Sequence, residues 1–197
     1  MESDLIGVSR DLDVRTVLEA YARGCFPMGG RRVITWHCPR TRAILPLDRF
    51  HVSHSLARTI RRKGFKITYD TAFRQVMLGC ADRDETWIDQ RVLRVYTELH
   101  KSGQAHSCEV WIDGALVGGV YGVQIGGAFF AESMFHRVTD MSKVALWALT
   151  GRLRESGFGL FEVQYLTPHL ESLGAVEVHL ADYEELLASA MRQLSQF

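Results

Sequence analysis

The stretch "GGAFFAESMFHR", residues 126–137, sets one carboxylate, Glu132, among Phe129, Phe130, Met134 and Phe135. A carboxylate inside an apolar run is costly to bury unless it is paired, hydrogen-bonded or used in chemistry. Two readings of Glu132 stand at this level: a structural ion pair with Arg137 or Lys143, or a group whose site a ligand completes. A second polar insertion lies in "LFEVQY", residues 160–165. Side chains alternate across a strand, so Leu160, Glu162 and Gln164 share one face while Phe161, Val163 and Tyr165 share the other. If that strand lies in the same sheet as Glu132, two carboxylates and an amide converge on one cleft. There a carboxylate can orient an amine or stabilise its cation, and an amide can accept from an attacking N–H. The alternative is that Glu162 and Gln164 occupy the solvent face of an edge strand.

Other chemistry-bearing residues are fewer. His106 and His169 are candidate bases by residue type, and His169, in the first turn of a short helix, is equally readable as structural. Trp36 and Trp87 sit beside polar, turn-like sequence, where a ring serves either as a stacking platform or as a lid on a core edge. Gly118, Gly119 and Gly122 interrupt a strand of β-branched and aromatic residues, the mark of a close approach or of a bulge. Zinc binding through Cys38 with His37, His51 or His54 fits no common spacing, so the four cysteines read as reduced, mostly buried thiols. No phosphate-cradling glycine loop and no G-x-S-x-G elbow occurs. The glycines of "VQIGGAFF" belong to a hairpin turn, which argues against the pyrophosphate grip of a CoA enzyme.

The elements that must position these groups follow from periodicity. The 197 residues are 47% hydrophobic and 23% charged, enough for one substantial core or two unequal ones. No run approaches the roughly 20 apolar residues of a membrane span, and the acidic N-terminus lacks a signal-peptide pattern, so a cytoplasmic protein is expected. The net charge of zero divides unevenly: residues 1–66 carry 13 Lys and Arg against 6 Asp and Glu, the remainder 10 against 17. A polyanion at one end and a cationic ligand at the other would suit that split, as would scattered solvated charge. Helices are expected within residues 13–22, in "HVSHSLARTIRRKG" with Ser53 as cap and Gly64 as stop, over 71–78, in "WIDQRVLRVYTELHKSG", after Thr139 or Asp140, in "TPHLESLGA" and from about Asp182. Short strands are expected in "RVITW", "RAILPL", "FKITYD", "GLFEVQYL" and "VEVHL". Turns at Asp113-Gly114 and Gly126-Gly127 predict a three-stranded meander. The chain therefore reads as α+β: a small basic N-terminal domain over residues 1–64, then 65–197 in the element order of the GNAT acyltransferase fold, an analogy of architecture alone.

Together these segments resemble the leucyl/phenylalanyl-tRNA–protein transferase family. The matching stretches are "LEAYARGCFPM", "ITWHCPRTRAILP", "TWIDQRVLRVYTELHKSGQAHSCEVW", "LVGGVYGVQIGGAFFAESMFHR", "SKVAL" and "EVQYLTPHLESLGA", in order along nearly the whole chain. The resemblance implies a GNAT-like catalytic domain behind a small N-terminal domain, with neither CoA nor metal. It implies transfer of leucine or phenylalanine from its tRNA to the α-amine of proteins beginning with Arg or Lys, which routes them to N-degron degradation. Partners would be the aminoacyl-tRNA and the protein acceptor, with no membrane, and the enzyme a monomer.

Residue by residue, Gln164 matches the family glutamine that orients the attacking amine, and Glu162 the acid that polarises it. Glu132 matches the Glu of "ESMF", bordering the cleft, with Ser133 beside it at the substrate site. Trp87 and Phe129 align with ligand-pocket aromatics, Val120 with a position lining the amino-acid pocket, and Met28 and Trp36 with the adenosine or side-chain pocket. Arg58, Arg61, Arg62 and Lys63 would meet the tRNA phosphates. The chain departs from the family pattern at Glu162, where Asp is usual, at Met28, where Trp is usual, at Trp36, the one retained member of a Trp pair, and at "VHLADY". Two rival readings remain open: aminoacyl transfer to a different acceptor, and a tRNA-binding relative that has lost catalysis.

Overall fold

The computed structural model describes residues 4–30 and 32–197; the first three residues of the acidic N-terminal stretch lie outside the described residues. Two sheets organise them. A three-stranded antiparallel sheet holds β1 (Leu5–Ser9), β2 (Phe26–Gly29) and β3 (Ile34–His37) in the order β1-β3-β2. A seven-stranded mixed sheet holds β4 (Thr41–Ile44), β5 (Lys66–Tyr69), β6 (Ala105–Ile112), β7 (Ala115–Ile125), β8 (Ala128–His136), β9 (Leu160–Gln164) and β10 (Val176–His179), in the order β10-β4-β9-β8-β7-β6-β5. The helices are α1 (Val14–Tyr21), α2 (His54–Arg62), α3 (Phe73–Ala81), α4 (Gln90–Lys101), α5 (Met141–Glu155), α6 (Pro168–Glu171) and α7 (Leu180–Met191).

The meander read from the two glycine turns is β6-β7-β8. β9 lies beside β8 in parallel, which requires the crossover that α5 provides. The boundary expected at residue 64 does not match the sheets. β4, inside the segment assigned to the N-terminal domain, sits in the middle of the large sheet between β9 and β10. Leu56 of α2 is buried in that sheet's core. Pairing partners more than a hundred residues away leave no trace in local periodicity, and for the same reason β1 and β2 were not anticipated. α2 ends at Arg62, one turn position before the expected glycine: Lys63 takes the left-handed conformation (φ 50°) itself. Asp140 precedes α5 without a capping hydrogen bond and bonds Lys143 and Thr59 instead.

Each face of the large sheet carries a core. One is covered by α1, α3, α4, α7 and the small sheet, around Tyr21, Phe26, Tyr96, Tyr121, Phe130, Leu160 and Tyr183. The other is covered by α2 and α5, around Leu56, Val120, Phe129, Leu146, Leu149 and Phe161. α5 is apolar nearly all round, as befits a helix that packs on the sheet and beneath α2.

Two irregularities matter for function. In the β7–β8 ladder Tyr121 pairs with Ser133 and Gly122 with Ala131, so Glu132 is the extra residue of a β-bulge. Gly122 is required there, because a Cβ would overlap the Phe130 carbonyl oxygen and the Phe129 ring. The second irregularity is that β8 and β9 pair only as far as Phe130 and Glu162. Beyond that point β9 turns to β4, with Ala43 opposite Gln164, and the two parallel strands separate. Gly122→Ala should therefore lower stability by about 1–3 kcal/mol through overpacking, read as a fall in the denaturant midpoint; an unchanged midpoint would show that the bulge does not need the glycine.

Candidate active site

Where β8 and β9 part, four polar side chains meet: Glu132, Gln164, Tyr21 and Tyr96. The bulge re-aims Glu132 toward the first core, where bulges beside functional sites commonly direct a side chain. Tyr21, at the end of α1, donates to Glu132 Oε1 at 2.5 Å, and Tyr96, on the buried face of α4, to Oε2 at 3.3 Å. The two phenols are 2.7 Å apart. Gln164 Nε2 reaches across the gap to Glu132 Oε1 at 3.2 Å, and its amide oxygen has no bonded partner among the described residues. Gln164 ends β9 with φ 64°, the left-handed region that a non-glycine residue adopts at a cost of roughly 1–3 kcal/mol and mostly at functional sites. Glu132 and Gln164 are each 8% exposed, so the solvent-face alternative for β9 is excluded. The ion-pair reading of Glu132 also fails: Lys143 bonds Asp140 at 3.0 Å, and Arg137 lies over the Phe135 ring.

Behind this layer sits a second carboxylate. Glu162 is fully buried and ion-paired with Arg42, whose other arm donates to the Gly24 carbonyl. Tyr183 of α7 donates to the remaining Glu162 oxygen at 2.5 Å. The Arg42 guanidinium is held between the Phe26 and Tyr183 rings. Since a guanidinium stays protonated in proteins, Glu162 is its obligatory counter-charge. Burial pushes the Glu162 carboxyl up and Arg42 draws it back down. Glu132 has no such cation: burial, helped by the Glu162 charge and opposed by the Tyr21, Tyr96 and Gln164 hydrogen bonds, raises it to about 8.

The remaining candidates divide between the two faces of the sheet. Ser133, next to the bulge, accepts from Arg83 at 2.6 Å. Met28, Trp36 and Trp87 are half-buried against the first core; the Trp87 carbonyl accepts from the Gly29 N–H at 3.0 Å, and the Trp36 indole donates to Ser9 at 3.1 Å. Trp36 pairs with Pro27 and Met28 with Thr35, so the two emerge from opposite faces of the small sheet. Phe129 and Val120 point the other way, into the second core; Phe129 packs with Phe158, Phe161 and Phe197. Arg58, Arg61, Arg62 and Lys63 are exposed along the outer side of α2. His106 is tied to Asp70 at 2.8 Å and stacks on Phe197, which also stacks on Phe129; it pairs with Gly122 in the row beside the bulge but faces the second core, on the opposite side of the sheet from the Glu132 carboxylate. Four residues of the site were not singled out from sequence: Arg42, Tyr21, Tyr96 and Tyr183. Tyr21 and Tyr96 stand at the apolar spacing of their helices, Tyr183 falls in the "VHLADY" stretch, and Arg42 is one more charge of a basic segment.

Among the described residues no group of three His, Cys, Asp or Glu side chains is arranged to hold a metal ion, the cysteines are unpaired, and no helix is long and apolar enough to cross a membrane. The arrangement can receive a cation at Glu132 and present an amide oxygen beside it. Comparison with known proteins bears on what that cation is. The family model described as "Leucyl/phenylalanyl-tRNA protein transferase" matches residues 44–188, and the model of that family's N-terminal domain matches residues 10–40. The chain is 49% identical over 191 residues to the leucyl/phenylalanyl-tRNA–protein transferase of Herpetosiphon aurantiacus, covering 96% of this chain and 100% of that protein. It is 53% identical over 189 residues to the enzyme of the same name from Cereibacter sphaeroides strain ATCC 17025, covering 94% and 88%. In fold it resembles the crystal structure of FemX, with a TM-score of 0.54 and 11% identity over 72% of this chain and 60% of that one.

Two outcomes check the electrostatics. Arg42→Met, which strands the Glu162 charge, should cost about 3–5 kcal/mol of unfolding free energy, and adding Glu162→Gln should recover much of it; a single variant as stable as the wild type would refute the pairing. For Glu132 the folded state holds its proton more tightly than the unfolded chain, so its contribution is present below the ordinary 4.5 and fades as pH rises through about 8. Glu162, also pushed up, acts in the same direction. Glu132→Gln should thus gain in melting temperature relative to wild type as pH rises from 5 to 8.5; parallel profiles would count against a raised carboxyl.

Proposed function

The chain belongs to the leucyl/phenylalanyl-tRNA–protein transferase family, and on that premise we propose that it moves leucine or phenylalanine from its charged tRNA onto the α-amine of proteins whose first residue is Arg or Lys. The product carries a destabilising N-terminus and is directed to degradation in the cytoplasm. The observation that carries this reading is the buried Gln164–Glu132 hydrogen bond between β8 and β9 past the point where their pairing ends.

The aminoacyl ester is already activated, so the protein has to bring an amine to its carbonyl carbon and manage one proton. No cofactor is needed for that step. The incoming α-ammonium meets Glu132. Burial raises the free Glu132 carboxyl to about 8, and the arriving ammonium draws it back down, so Glu132 holds the cation as its counter-charge while the amine's proton is released. Gln164, with its NH2 engaged by Glu132, turns its amide oxygen to an N–H of the neutral amine and aims the lone pair at the ester. The C–N bond forms, the bond from the carbonyl carbon to the ribose oxygen breaks, and the leaving hydroxyl takes up the proton.

Glu162 works through Gln164. Its oxygens are occupied by Arg42 and Tyr183, and the Gln164 backbone N–H also interacts with its carboxylate. In this reading it is a positioning residue. Met28, Trp36, Trp87 and Ser133, on the small sheet and around the bulge, are assigned to the terminal adenosine and the peptide; Phe129 and Val120 are assigned to the floor beneath the amino-acid side chain. Arg58, Arg61, Arg62 and Lys63 are assigned to the acceptor-stem phosphates.

The test is transfer of labelled Leu or Phe from tRNA to model proteins beginning with Arg, Lys, Asp, Glu or Met. Label on Arg and Lys starts is expected; label on acidic starts alone would replace the acceptor, and tRNA binding without transfer would remove the catalytic reading. Gln164→Ala should lower kcat by about two orders of magnitude, the scale of a lost proton-handling group, with tRNA affinity kept. Neutralising Arg61, Arg62 and Lys63 should weaken tRNA binding and reduce its salt dependence by about one unit of slope per lost phosphate contact; wild-type binding would reassign that helix.

A further inference from the structure

Two thiols meet beside the Arg42–Glu162 pair. The β2–β3 register sets Phe26 opposite His37, so one step further out Cys25 stands opposite Cys38. That hairpin closes on a hydrogen bond from the Gly30 N–H to the Val33 carbonyl at 3.0 Å. Bonded and non-bonded pairs alternate from there, which makes Cys25 and Cys38 a non-hydrogen-bonded pair. Their backbone groups agree: the Cys25 N–H donates to the Ala20 carbonyl and the Cys38 N–H to the Asp4 carbonyl. In such a pair the Cα atoms lie about 4.5 Å apart, inside the roughly 4.4–6.8 Å that a disulfide spans. The side chains also leave in one direction. Cys25 and Cys38 both donate to the Arg23 carbonyl, at 3.6 and 3.9 Å. The other two cysteines, Cys80 and Cys108, are buried in separate cores.

The turn that these thiols hold also supports the site. Cys38 donates to the Gly24 carbonyl at 3.8 Å, and that same oxygen accepts one arm of Arg42. Gly24 packs so closely on Tyr183 that a Cβ would stand 2.8 Å from its ring. Arg42 and Tyr183 are the groups that fix Glu162. Joining the sulfurs removes the S–H donors from both the Arg23 and the Gly24 carbonyls. It also draws the facing Cβ atoms from about 4.5–5.5 Å to about 3.8 Å. A movement of that size at the Gly24 turn exceeds the roughly 0.5 Å within which a catalytic constellation has to be held.

We propose that Cys25 and Cys38 are a redox modification site: a small disulfide of the glutathione class converts them to a bridge, and the bridge slows transfer by displacing the contacts of Gly24, Arg42 and Glu162. Cys38 is half-buried and Cys25 buried. Burial, and then the adjacent Cys38 thiol, pushes Cys25 up to about 12, so the exchange starts at Cys38. The Cys38 thiolate attacks one sulfur of glutathione disulfide, and one glutathione leaves as a thiolate that takes up a proton. Cys25 then gives up its proton and attacks the Cys38 sulfur, expelling the second glutathione. Two protein thiols are oxidised by two electrons, and one glutathione disulfide is reduced to two thiols. The effect on transfer rests on the transferase reading; the bridge itself does not.

The test equilibrates the native protein with mixtures of reduced and oxidised glutathione, blocks the remaining thiols and maps the peptides by mass spectrometry. A Cys25–Cys38 cross-link is expected as the oxidised fraction rises, with Cys80 and Cys108 still free thiols. Transfer by the bridged protein should fall by about one to two orders of magnitude, the scale of an ångström-sized misplacement, and return on reduction. Cys38→Ser, which cannot close the bridge, should transfer equally in reducing and oxidising buffer, and Cys25→Ala should do the same. Glutathione left on Cys38 with no cross-link, or a bridged protein as active as the reduced one, overturns the proposal. Reduced protein that transfers nothing to any acceptor overturns the transferase reading, and the effect on transfer with it, while the cross-link is still judged by its mass.

Discussion

The structure turns on one buried carboxylate. Glu132 ties together elements from four parts of the chain: Tyr21 from α1, Tyr96 from α4, the bulge in β8 and Gln164 at the end of β9. An unpaired carboxylate in this position would cost several kcal/mol. Its three hydrogen bonds offset part of that, and burial still holds the carboxyl well above its ordinary value. A site left electrostatically incomplete in this way is complementary to a cation. The free N-terminus of a protein is such a cation.

The rest of the site is arranged so that the incompleteness stays local. Glu162 lies close enough to raise Glu132, yet it is neutralised by Arg42 and fixed by Tyr183. Two buried carboxylates in neighbouring strands are thus given different environments: one paired and locked, the other short of a partner. Environments that push two titratable groups apart are how one fold separates a supporting role from a proton-handling one. The left-handed Gln164 backbone stands between them.

Much of this was legible in the sequence for a simple reason. Glu162 and Gln164 are two residues apart in an apolar strand, and period-two alternation alone puts them on one face; Glu132 stands out because nothing around it in the chain is polar enough to explain it. The resemblance read from "ESMF" and "EVQYLTPHLESLGA" agrees with the family matches over residues 10–40 and 44–188. What stayed hidden depends on contacts distant in sequence. Arg42 and Glu162 are 120 residues apart, and β4 joins the large sheet through a pairing that no local pattern announces. The bulge shifts register by one residue, and nothing in "AFFAESMF" marks which residue is the extra one. Tyr21, Tyr96 and Tyr183 look like core filling because most of each ring is that; only the hydroxyl belongs to the site.

The most direct measurement is a carbon-13 NMR titration of the Glu132 side-chain carboxyl, identified by its loss in Glu132→Gln, in the free protein and with a peptide beginning with Arg. The account predicts a midpoint near 8 in the free protein and a clear downward movement when the peptide's ammonium is bound. A midpoint near the ordinary 4.5, unmoved by the peptide, would contradict it.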